Sequence, residues 1–187
     1  MAGVVHTHRV NRLRDGLIQR DGLTLRPFTD LDVESIAVAC NDAEIQQWLP
    51  HPSPYTEELA SWFVCERAPT ILRSGTGIVR GIEVDGRLMG VIDLKHANWH
   101  ARSVEIGYWV APWGRGRGLA ACAIRALTDW AHAQGMRRVE IRVAPDNLAS
   151  LLSAQRAGFT EEGTLRQAGY IHAGPVDLVV LSHLPYD

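Results

Sequence analysis

Glycine and arginine alternate through Gly114-Arg115-Gly116-Arg117-Gly118, and Leu119-Ala120 follow at once. Glycines let backbone N–H groups approach a ligand closely, because no Cβ intervenes and positive φ costs them little. The spacing after the loop predicts a helix, whose first turn adds unpaired N–H groups and a partial positive charge. Arg115 and Arg117 add guanidinium groups that phosphate oxygens can share. The segment Arg115, Gly116, Arg117, Gly118, Leu119, Ala120 therefore reads as an anion site suited to a pyrophosphate carried by a cofactor, and so to group transfer. The bland alternative is a solvated strand-to-helix turn.

The residues before the loop, Val104-Glu105-Ile106-Gly107-Tyr108-Trp109-Val110-Ala111, read as a strand. Alternation puts Glu105, Gly107 and Trp109 on one face. A carboxylate beside a cofactor loop is a candidate general base, and its bland reading is a salt-bridged strand residue. His96 and His100 have a spacing that suits a metal on a helix, but they fall in a loop with no third ligand near, so no metal is expected.

The elements that must position these residues follow from pattern. Asp15-Gly16, Asp21-Gly22 and Asp85-Gly86 are hairpin signals between short apolar pieces. They predict a hairpin leading into a strand at 23–28, and paired strands at 77–84 and 88–94. Between these groups, helices are expected from Thr29 or Asp30 to Cys40, over 42–49, and over 55–67 with Thr56 as cap. His51-Pro52-Ser53-Pro54 is a rigid, non-helical loop. Leu119, Cys122, Ala123, Ala126, Leu127, Trp130 and Ala131 form the apolar face of a helix over 118–134, which Gly135 ends. A strand over 138–143 follows, then a helix over 148–157 capped by Asp146 or Asn147, then strands from Phe159 and over 176–184. Trp48, Trp62, Trp99 and Trp113 are core residues or walls of an acceptor pocket, with Trp113 expected to be partly exposed.

The chain of 187 residues has a net charge of −2, with 46% hydrophobic and 21% charged residues. That balance fits a soluble domain and gives no general affinity for nucleic acid. Residues 1–11 read as a loose tail and 12–187 as a single domain. Neither a membrane span nor a signal peptide is expected. Cys40, Cys65 and Cys122 have no paired spacing and read as reduced thiols, which points to a cytoplasmic protein.

The order strand, two helices, three strands, helix, strand, helix, strand, strand resembles the GNAT acyltransferase fold. That is an α/β (α+β) architecture with a mixed, mostly antiparallel, splayed sheet flanked by helices. Arg115-Gly116-Arg117-Gly118-Leu119-Ala120 matches the family's (Gln/Arg)-x-x-Gly-x-(Gly/Ala) loop. Asn147-Leu148-Ala149-Ser150 with Ala157-Gly158-Phe159 matches its second signature. Glu105 to Val110 and Leu25-Arg26-Pro27-Phe28 resemble the RimJ/RimL-like branch, which acetylates protein N-terminal amines and small amines. The resemblance covers about residues 12–187.

It implies acetyl-CoA as acyl donor and a primary amine as acceptor, with direct attack in a ternary complex. The pyrophosphate is expected on the loop, with Asn147 nearby. The pantetheine arm is expected along the strand at Trp109 and Val110, where a backbone N–H also faces the developing oxyanion. The leaving thiolate takes its proton from Ser150 or from Tyr170, and the base is Glu105 through water or no single residue. Relatives in this branch often carry an acidic residue where this chain has Gly169. A homodimer is expected because relatives often pair and the last strand is apolar. Two other readings stay open: a GNAT-fold module that senses acyl-CoA without catalysis, and a nucleotide-binding protein. Gly114, Gly116 and Gly118 give G-x-G-x-G, not the dinucleotide G-x-G-x-x-G, which counts against the last.

Overall fold

Two of the Asp-Gly pairs turn the chain as their chemistry requires. Asp21 and Gly22 take φ of 47° and 78°, and Asp85 and Gly86 take 51° and 72°, the doubly positive geometry of a tight hairpin. The computed structural model describes residues 12–187; the tail expected over 1–11 lies outside the described residues. The first pair joins β1 (Ile18–Arg20) to β2 (Leu23–Arg26), and the second joins β3 (Ile78–Val84) to β4 (Arg87–Asn98). Asp15-Gly16 makes no hairpin; it holds the buried Arg80, through the Asp15 carboxylate and the Gly16 carbonyl.

A short 3-10 turn leads from β2 into α1 (Val33–Cys40), followed by α2 (Ala43–Trp48), α3 (Glu57–Trp62) and α4 (Ala68–Ser74). The Asp42 and Thr56 side chains accept from the N–H groups of Ile45 and Leu59 and so cap α2 and α3. The sequence spacing ends the third helix at Arg67, yet the chain stays helical to Ser74. Residues 63–67 widen into a π turn, and Pro69 falls in the first turn of α4, where its missing N–H is no loss.

The remaining elements are β5 (Ser103–Val110), α5 (Leu119–Ala133), β6 (Arg138–Val143), α6 (Leu148–Arg156), β7 (Thr160–Ile171) and β8 (Gly174–His183). Eight strands form one sheet in the order β1-β2-β3-β4-β5-β6-β8-β7, and only β5 and β6 run parallel. α5 and α6 pack on one face, where Ile82, Ile92, Leu94, Ile106, Ile124, Leu127 and Ala154 form the main core. The first four helices cover the other face, with Ala68, Ile71, Val79, Val91 and Trp109 packed together.

One departure from regular pairing positions everything else. β5 pairs with β4 as far as Val110, but with β6 only over Ser103 to Ile106. Beyond Ile106 and Ile141 the two parallel strands separate, and the sheet splays open.

Candidate active site

The splay is the floor of a cleft of about 740 Å³, within the range of small-molecule sites. Residues 107–110 line one side and 141–144 the other. The loop from Gly114 to Ala120 closes one end, α6 contributes Ser150 and Ser153, and Trp48, Leu49 and Tyr170 stand across the opening.

The loop has the predicted backbone. Gly116 and Gly118 take φ of 73° and 71°, and no atom lies where their Cβ atoms would stand. Gly118 is the N-cap of α5, and no side chain caps this helix. The first intrahelical bond to Gly118 comes from Cys122 at 3.2 Å, so the N–H groups of Leu119, Ala120 and Ala121 precede the ladder. Uncapped donors, open glycines and a strand edge without its partner fit a ligand that carries both phosphates and amides.

The two loop arginines are placed differently. The Arg115 guanidinium binds the Asp42 carboxylate and lies 3.0 Å from Glu44, so it ties the loop to the start of α2. It holds the Asp42 carboxyl below the ordinary carboxylate range. Arg117 is exposed and makes no ion pair among the described residues; its nearest polar contact is the Met89 sulfur at 4.0 Å. The sequence could not reveal the tether, since Asp42 and Arg115 are 73 residues apart.

Asn147 caps α6, its side chain accepting from the Ser150 N–H at 3.1 Å. The Ser150 hydroxyl lies 2.8 Å from the Tyr108 hydroxyl, which also lies 3.2 Å from the Ser150 carbonyl. Burial pushes the Tyr108 phenol up, opposed by hydrogen bonds from Ser150 and Ser153, and so keeps it protonated at neutral pH. Tyr108 is the functional candidate that sequence reasoning missed. Alternation places Tyr108 on the face opposite Trp109, but only the fold brings it to Ser150, 42 residues on. Tyr170 also lines the cleft but is exposed over 66% of its surface.

Glu105 is buried in an ion cluster. Its Oε1 lies 3.2 Å from Lys95 Nζ, and its Oε2 lies 3.3 Å from His96 Nδ1 and 3.5 Å from Arg142 Nε. Both oxygens are thus engaged by cations. Gly107, one step along the same face, has no room for a side chain: a Cβ would stand 2.9 Å from Asp93 Oδ1 and 3.2 Å from Lys95 Nζ. Gly169 is equally confined, with Leu178 Cδ2 at 2.8 Å from the site of its Cβ. Leu178 and Val176 fill the space that an acidic side chain would need there.

Of the four tryptophans considered, only Trp48 lines the cleft. Trp113 is half-buried, its indole N–H donating to the Leu88 carbonyl at 2.8 Å. Among the described residues no cluster of His, Cys, Asp or Glu suits a metal ion, and no helix is long and apolar enough to cross a membrane.

With this geometry in view, comparison with known proteins is informative. A family model described as an acetyltransferase (GNAT) domain matches residues 22–160. A putative ribosomal N-acetyltransferase, YdaF of Bacillus subtilis (strain 168), is 38% identical over 109 residues, 58% of this chain and 60% of that protein. This chain therefore spans about three fifths of that relative's length. An uncharacterized N-acetyltransferase of the same organism, YoaA, is 29% identical over 89% of this chain and 95% of its own. Among solved structures, RimL, a ribosomal L7/L12 alpha-N-protein acetyltransferase in complex with coenzyme A, superposes with a TM-score of 0.81 at 25% identity. The superposition covers 90% of this chain and 98% of that one.

Proposed function

The chain belongs to the acetyltransferase (GNAT) domain family, and from that premise we propose that it transfers the acetyl group of acetyl-CoA to a primary amine. The observation that carries the reading is the splay itself. It leaves a strand edge, an uncapped helix N-terminus and a hydroxyl pair facing one cleft.

Acetyl-CoA, when bound, supplies an activated thioester, so the protein's part is to hold, orient and polarise. The backbone from Arg115 to Ala120, with Arg117, is the proposed seat of the pyrophosphate. Arg115 contributes its backbone and the tether to α2, and Asn147 fixes the start of α6 beside the loop. Trp109 and Val110 offer their edge to the amide-rich pantetheine arm, as an added strand would use it. Tyr108 and Ser150 act as a relay: their hydroxyls lie 2.8 Å apart, so Ser150 gives a proton to the leaving thiolate and the phenol is placed to replace it. Tyr170, exposed at the opening, is the alternative donor, and a carboxylate acting through water, Glu105 or a neighbour on the same face of the sheet, takes the amine's proton.

The acceptor is a protein N-terminus or a small-molecule amine. The names of the relatives, which refer to ribosomal proteins, favour the first. Free thiols at Cys40, Cys65 and Cys122 fit a reducing, cytoplasmic setting. A homodimer is proposed on the resemblance alone, and light scattering tests it.

Isothermal titration with acetyl-CoA is expected to show binding, and thiol release with N-terminal peptides or small amines is expected to fall sharply in Ser150→Ala. A folded sample that binds no acetyl-CoA overturns the reading. One observation favours a second reading, an acyl-CoA sensor: hydrophobic side chains occupy the space beside Gly169. Binding without turnover of any amine would select it.

A further inference from the structure

Resting on the reading of the cleft as an acetyl-transfer site, we propose that Asp93, on β4, is the group that accepts the proton the incoming ammonium must shed. An amine attacks only as the free base, so its extra proton needs a destination inside the cleft. Glu105 is the evident carboxylate, but Lys95, His96 and Arg142 engage both of its oxygens. Asp93 lies beside it across the sheet, opposite Gly107 in the strand register. Its Oδ1 accepts the Gly107 N–H at 3.0 Å. Its Oδ2 has no partner among the described residues, and it is not one of the sealed orphan atoms, which are His51 Nε2 and Thr128 Oγ1. The carboxyl is therefore anchored by one oxygen and has the other free and in touch with accessible space.

The position is made by sequence. Any side chain at Gly107 would collide with Asp93 Oδ1, and Gly107, Lys95 and Glu105 all line the cleft. Asp93 is thus held directly against Gly107, a residue of the cleft wall.

The groups facing Asp93 are few. Lys95 and His96 come from its own strand and Glu105 from β5, with Arg142 of β6 beyond Glu105. Its β3 partner is Val79, and the helix packed there contributes Ala68 and Ile71. Desolvation dominates: burial, helped by the Glu105 charge, raises the Asp93 carboxyl to about 6 against the pull of Lys95, the Gly107 N–H and His96. A base with that affinity ionises at neutral pH yet still takes up a proton.

The step balances. The ammonium N–H bond breaks and its proton passes through water to Asp93 Oδ2. The neutral nitrogen then forms a bond to the acyl carbon, the C–S bond breaks, and the sulfur leaves with a proton from Ser150, while the second proton shed by the nitrogen on collapse passes through water to restore the Ser150 hydroxyl. Asp93 returns its proton to solvent.

Asp93→Asn keeps an oxygen to accept the Gly107 N–H and removes the basic site. It is expected to bind acetyl-CoA as the wild type does, while kcat/KM for the amine falls about 10²-fold at neutral pH. In the wild type, kcat/KM is expected to drop as pH falls through about 6, and in Asp93→Asn that limb disappears, leaving only the amine's own ionisation. A variant with unchanged kcat/KM and an unchanged acid limb overturns the proposal. Where Asp93→Asn does not fold, the wild type decides: carbon-13 NMR of labelled aspartate must show one carboxyl titrating together with the acid limb, and a mismatch overturns it. If wild-type protein turns over no amine at all, the reading of the cleft fails instead.

Discussion

Residues 103–106 and 107–110 share one strand and one alternation, yet they are built for different tasks. The first four are all paired to β6 and, except for Val104 at a bulge, to β4. Val104 and Ile106 are sealed in the core, and Glu105 is held by Lys95, Arg142 and the His96 ring. The last four keep only β4. There Gly107 makes room for Asp93, Tyr108 reaches Ser150, and Trp109 packs under the helices of the opposite face. The comparison teaches that the candidate chemistry begins where the hydrogen-bond ladder to β6 ends. Stability belongs to the paired half and ligand recognition to the open half, and substitutions in the two halves should separate these quantities.

The largest effect is expected in the paired half. Ile106 is 2% exposed and packs among Ile92, Leu94 and Ile141 in the main core. Ile106→Ala should cost about 2–5 kcal/mol of folding stability, read by urea denaturation, because the cavity adds to the lost burial. Under conditions where the variant is folded, its acetyl-CoA affinity should match wild type. A strong affinity loss with little destabilisation would break the division between the halves.

In the open half the order reverses. Tyr108→Phe removes one hydroxyl and leaves the ring that packs against α6. Thiol release should fall by roughly tenfold to a hundredfold, about 1.4–2.8 kcal/mol in barrier, with acetyl-CoA affinity unchanged. Because the phenol is pushed above its ordinary 10, the alkaline limb of the wild-type rate should begin only above neutral pH, where that proton is stripped, separate from the acid limb assigned to Asp93. Gly118→Val is next. At φ of +71° a β-branched residue costs about 1–2 kcal/mol, and relief of that strain would turn the first N–H groups of α5 away from the ligand. Acetyl-CoA should bind roughly tenfold more weakly by titration calorimetry, with the melting temperature shifting only slightly.

What the sequence disclosed follows the same division. Signals that act over a few residues were readable: the Asp21-Gly22 and Asp85-Gly86 turns, the Asn147 cap, the apolar stripe of α5 and the glycine loop. Signals that depend on tertiary proximity were not. Tyr108 meets Ser150 across 42 residues, and Asp93 needs Gly107 on the neighbouring strand. Nothing local marks either as functional. α4 escaped because Pro69 reads as a helix stop, whereas the π turn before it sets Pro69 in a first turn. The exposed length of β7 escaped because a strand with little burial has no alternation to detect.

The smallest expected effect tests the paired half at its far end. On the face of the sheet that carries Glu105, Arg142 bridges it to Glu140, and Arg138 then joins Glu140 to Glu162. The Arg138 guanidinium, first, and the Ser182 hydroxyl hold the Glu162 carboxyl down from its ordinary 4.5 to about 2. A depressed carboxylate adds stability that is fully present above its unfolded value and lost as pH falls through the folded one. Glu162→Gln should therefore be slightly less stable than wild type at neutral pH, and the gap should close between about pH 4.5 and 2. Its side chain is 41% exposed, so water screens the pair, and the cost should be below about 1 kcal/mol and shrink further in high salt. Acetyl transfer should not change, because this end of the charge ladder lies where β6 and β8 are still paired. Urea melts of both proteins at several pH values read the gap. A loss of kcat in Glu162→Gln would mean that the charge ladder reaches into the open half, and that the boundary at Ile106 is not where structure stops and chemistry starts.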